Sequence, residues 1–176
     1  MRLTIPSNKT KFLIEMRDGS DRVCAILGGT FADVALQKAI RKSLKNTAHI
    51  KDMFNAKSEL SGFLAKTELA FGMGLIGEQP RSDLKKIGQI RNKFAHNLDI
   101  NSFESQAIKD ICAQLWIPNN PEALKMPQSW KNALTHPTKG KSIYRVHFEW
   151  TVAIIVGGLY IVAFDKDDTQ SPLVWD

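Results

Sequence analysis

Apolar residues recur at intervals of three and four along most of the chain, and the intervals break wherever glycine, proline and asparagine cluster. From 20 to about 45, Val23, Leu27, Thr30 and Val34 form one stripe and Ile26, Leu36, Ile40 and Leu44 a second beside it. Two adjacent stripes predict a broad-faced, largely buried helix. Positions 58–72 place Leu60, Phe63, Leu64 and Phe71 at helical spacing, with glycines at 72, 74 and 77 as stop signals before Pro80. A third helix is predicted from Pro80 or Ser82 to His96, and Asn97 suits the left-handed position just after it. Ser102 or Ser105 starts a fourth, with Ile108, Ile111, Cys112 and Leu115 inward and a stop by Pro118.

Beyond that point the pattern weakens. Residues 117–141 combine four prolines with Asn119-Asn120 and little periodicity, which reads as an extended connection with one turn near Trp130. The uncharged run TVAIIVGGLYIVAF, 151–164, is shorter than the ~20 residues that cross a bilayer as a helix. Extending it backwards brings in Glu149, His147 and Arg145, so the segment is expected to be a core element rather than a membrane span. Gly157-Gly158 leaves open whether that element is one helix or a short hairpin. The prediction is an all-α fold: a compact helical bundle at 18–116, the connection at 117–141, and a C-terminal apolar element at 142–176, in a single domain.

Composition changes this picture little. A hydrophobic fraction of 43% in 176 residues suits one domain with a real core. The net charge of +6 favours an anionic partner without specifying nucleic acid. Cys24 and Cys112 are two apolar-flanked cysteines, neither a disulfide framework nor a zinc site, and residues 1–7 lack a signal-peptide core. A reducing, cytoplasmic setting follows as an expectation. The remaining histidines, His49, His136 and His147, have no acidic or thiol partners at ligand spacing, and the glycine pairs follow helical patterns. No metal and no cofactor are expected.

The candidate chemistry lies in Arg91-Asn92-Lys93-Phe94-Ala95-His96. Leu84, Ile87, Ile90 and Phe94 define the inner face of the third helix, and at ~100° per residue Arg91 falls near its edge while Asn92 and His96 stack outside. Arg91 and His96 then differ by roughly 140°, so one straight helix cannot join them. An unwound last turn or a symmetric dimer is needed to do so. A partly buried guanidinium needs an acceptor, for which Asp33 is the leading candidate and Asp21 and Glu68 weaker ones.

The segments SDRVCAILGGTFADVALQKAI, SGFLAKTELAFGMGLI and DLKKIGQIRNKFAH occur in this order and resemble the bacterial mannitol operon repressor family over roughly 18–116. The resemblance implies an all-helical domain with Asp21, Arg22, Asp33, Lys66 and the Arg-Asn…His segment at recurrent polar positions. No helix-turn-helix signature is present, so regulation through protein contacts is the form this reading takes. Arg-Asn-x-x-x-His also resembles the motif of HEPN domains, helical proteins that include metal-independent ribonucleases and toxins. That resemblance implies a homodimer cutting RNA, with Arg91 stabilising charge on phosphate, His96 as general acid or base and Asn92 orienting the scissile group. Lys38, Arg41, Lys42, Lys45, Lys85 and Lys93 would track the RNA backbone. Expected partners are a second copy, RNA, and a protein such as an antitoxin or a DNA-binding regulator.

Overall fold

The computed structural model describes residues 14–44, 52–55, 58–136 and 140–164. Seven helices are delimited among them: α1 (Asp21–Ser43), α2 (Phe63–Gly72), α3 (Glu78–His96), α4 (Gln106–Cys112), α5 (Trp116–Asn119), α6 (Gln128–Thr135) and α7 (Ile143–Phe164). No strand occurs among the described residues, so the bundle is all-α as expected. Ser20 caps α1, its hydroxyl accepting from Val23 N–H at 3.3 Å, and Ser105 occupies the cap position of α4.

α1 is the central helix, packed most extensively against α7 and then against α3 and α2. The packing corrects the expected stripes. Val23 is 40% exposed, Val34 39%, and Thr30 is exposed as well, whereas Ala25, Gly28, Gly29, Ala32, Ala35 and Ala39 are buried beside Leu36 and Ile40. Small residues win the interior because helices close on α1 from several sides. A Cβ on Gly28 would lie 2.6 Å from the Phe148 ring of α7, and one on Gly29 would lie 2.6 Å from Cδ of Arg91 on α3. α2 shows a related departure: Leu64 is 57% exposed and Phe71 is also exposed, while Lys66, Thr67 and Ala70 turn inward. Phe71 carries the Arg81 guanidinium over its ring at 4.6 Å instead of entering the core.

The connection is more ordered than its composition suggests. Its prolines punctuate helices rather than prevent them: Pro118 sits in the single turn of α5 and Pro127 is the N-cap residue of α6. The C-terminal alternative resolves to one helix, α7, running unbroken through Gly157 and Gly158. By length and composition α1 and α7 each reach the size of a membrane span, but here 50% of the most apolar stretch of each is buried in the bundle, and each is the other's most extensive neighbour. Phe94 of α3, Phe103 and Phe148 of α7 form a ring-to-ring chain through the core, with centroids 5.1 and 5.3 Å apart.

Candidate functional site

Leu84, Ile87, Ile90 and Phe94 are fully buried, as the inner face of α3 requires, and this fixes the side on which its polar residues stand. Arg91 is half-buried; Asn92 and His96 are exposed. The α-helical bond from Asn97 N–H to Lys93 O, 3.1 Å, is intact, so the last turn is not unwound. Asn97 is extended, at φ −120°, rather than left-handed. Within one chain, therefore, Arg91 and His96 stay apart.

Asp33 is not the acceptor for Arg91. Its carboxylate pairs with the buried Lys66 of α2 at 2.5 Å. Arg91 runs its stem over Gly29, places Cζ 5.6 Å from the centroid of the Phe63 ring, and donates from Nε and Nη2 to Asn92 Oδ1 at 3.2 and 3.0 Å. The weaker acidic candidates are also engaged elsewhere: Glu68 pairs with Arg81 and Lys85, each at 2.8 Å, and Asp21 with Arg145 at 2.8 Å. The flanking cations hold Glu68 below the usual carboxylate range.

Arg22 explains why α3 ends where it does. Its guanidinium donates to the carbonyls of Phe94, Asn97, Leu98 and Ile100, at the helix C-terminus where carbonyls lack intrahelical donors. Asp21 beside it accepts from Phe103 N–H at 2.9 Å. These two residues position the end of α3 and the loop after it. Among the expected backbone-tracking cations, Lys38 lies 5.6 Å from the Tyr160 ring centroid, Arg41 4.9 Å from that of Phe54, and Lys85 is ion-paired. Lys42 and Lys93 are exposed, and Lys45 lies outside the described residues.

Two polar centres escaped the motif reading. Arg145, only 7% exposed, bridges Asp21 at 2.8 Å and Glu149 at 2.9 Å and donates to the carbonyls of Met16 and Arg17. Its four-residue spacing from Glu149 at the mouth of the apolar run was the available signal. Asp83, fully buried, accepts from the first two backbone N–H groups of α5, Trp116 and Ile117. Burial raises its carboxyl above the ordinary Asp value. Burial also pushes the Cys112 thiol up to about 12 and raises Cys24 as well, so both remain thiols rather than nucleophilic thiolates. No group of three or more metal-ligating side chains occurs among the described residues.

No protein-family model matches the chain, and no curated protein matches it. A chain of the solved MtlR–HPr complex from Escherichia coli matches in structure with a TM-score of 0.64 and 13% sequence identity, covering 86% of this chain and 97% of that one. The likeness is one of fold, and it agrees with the helical fold implied by the segments at 18–116. It does not bear on the HEPN-type motif.

Proposed function

We propose that this chain is a non-catalytic regulator that acts by binding another protein. The observation that carries the reading is the fold likeness along nearly the whole of a chain whose solved structure is a complex with HPr. The fate of the polar residues supports it: Asp21 and Arg22 hold a helix end, Asp33 and Lys66 neutralise each other, and Arg91 engages Asn92. Titration calorimetry of the purified chain with HPr from the same source tests the proposal. Saturable binding is the expected outcome, unchanged by His96→Ala; the absence of a complex overturns it.

The ribonuclease reading requires a dimer in which Arg91 of one protomer meets His96 of its partner, since α3 stays regular through His96. Incubation with RNA in EDTA decides between the two. Cleavage leaving cyclic-phosphate ends, abolished by His96→Ala in a folded variant, replaces the regulatory reading; intact RNA removes the nuclease.

A further inference from the structure

The Arg91 guanidinium is held on three sides. Its stem fills the slot left by Gly29, its plane is carried near the Phe63 ring, and its side edge is occupied because Nε and Nη2 both donate to Asn92 Oδ1. A guanidinium has more donors than these two bonds use. What remains is the end-on fork, Nη1 with the second Nη2 hydrogen, and among the described residues no other acceptor takes it. The bonds to Asn92 are themselves at the solvent surface.

The surrounding charges are already matched. Asp33 is neutralised by Lys66 at 2.5 Å, and Arg81 and Lys85 by Glu68 at 2.8 Å each together with Glu78, 3.0 Å from Arg81, so the Arg91 charge stands uncancelled beside balanced groups. An arginine fixed in position with an open fork is pre-organised for one planar, two-oxygen anion. The two helices that meet Arg91 each carry an exposed apolar side chain: Leu64, 57% exposed, follows Phe63 on α2, and Val34, 39% exposed, lies on α1 five residues after Gly29.

We infer that the Arg91 fork is the receptor for a side-chain carboxylate on an acidic, partly apolar segment of a protein partner. The inference rests on the protein-binding reading and names the chemistry of that contact. Charge complementarity selects an acid, and the exposed Leu64 and Val34 select a protein over a nucleic-acid strand. An RNA backbone would need a run of uncommitted cations, whereas Lys66, Arg81 and Lys85 are paired and, on α3 near Arg91, Lys93 alone among the described cations stands exposed without an ion pair. The Phe63 ring is buried beneath Arg91 and offers no stacking platform.

Fluorescence anisotropy of the full chain at about 0.1 M salt tests this with two labelled probes of equal length, a peptide alternating glutamate and leucine and a single-stranded RNA. The peptide is expected to bind saturably and more tightly than the RNA. Asn92→Asp supplies Arg91 with an internal carboxylate at an exposed position, so it should retain the helical circular dichroism of wild type and weaken peptide binding about tenfold. Arg91→Lys keeps the charge without the fork and should weaken it as well. Absence of peptide binding by wild type, equal affinity in Asn92→Asp, or tighter binding of RNA overturns the inference. If the HPr complex persists while any of these is observed, the receptor assignment alone fails; if no HPr complex forms, the regulatory reading fails on its own test.

Discussion

At Asp83 a single carboxylate sets the junction between α3 and α5. It is fully buried and accepts from Trp116 N–H at 2.8 Å and from Ile117 N–H at 3.0 Å, with Lys86 Nζ 3.5 Å away. Removing the acceptor leaves two inward N–H groups unpaired, so Asp83→Ala is expected to lower stability by about 2–4 kcal/mol in urea titrations at neutral pH. Asp83→Asn, which keeps one acceptor oxygen, should lose less. Arg91 makes the complementary point about legibility. Its place at the edge of the α3 core was readable from angular spacing, because that depends only on one helix. Its partner was not: Asp33 is a chemically suitable acceptor, but Lys66 reaches it from α2. The choice between two cations for one carboxylate depends on how three helices cross, and no spacing along the chain encodes that directly.

Among the elements, α7 tests the reading most sharply. It continues through Gly157, where an added Cβ would meet nothing within 4 Å. Gly157→Ala is therefore expected to raise stability by about 0.5–1 kcal/mol, seen as a higher midpoint in thermal or urea denaturation; a loss would mean the position is needed for an approach this structure does not contain. α1 marks where periodicity misled. Val23 and Val34 have the spacing of a buried stripe but stand outside, because Gly28 and Gly29 admit Phe148 and Arg91 closer than larger side chains would. Hydrophobicity scales reward valine and pass over glycine, so a helix buried through small residues shows its wrong side to a pattern search. In 117–141 the weight of proline suggests extension, although a proline in a first turn or just before a helix is compatible with one.

For the whole molecule, the packing of α6 against α7 carries a pH dependence. Burial holds the His147 imidazole below the usual histidine range, with a hydrogen bond from the ring to the Leu134 backbone carbonyl acting in the opposite direction. The fold favours neutral His147, so its contribution is complete above the ordinary histidine value, about 6.5, and is lost as pH falls from there through the depressed folded value. Melting temperatures measured from about pH 8 to about pH 5 should fall on the acid side, and His147→Gln should flatten that part of the profile. By itself the sequence determined the all-α class, the positions of the main helices and the sides of α3 on which Arg91, Asn92 and His96 stand. Each of those follows from the geometry of one helix and the side chains it carries. Tertiary structure decided that small residues of α1 form its buried face, that Asp33 belongs to Lys66, that Arg22 closes α3, and that Arg91 keeps an open fork. Those outcomes depend on distances between helices far apart in the chain, where a fraction of an ångström of approach decides which side chain fits and which charge finds its partner.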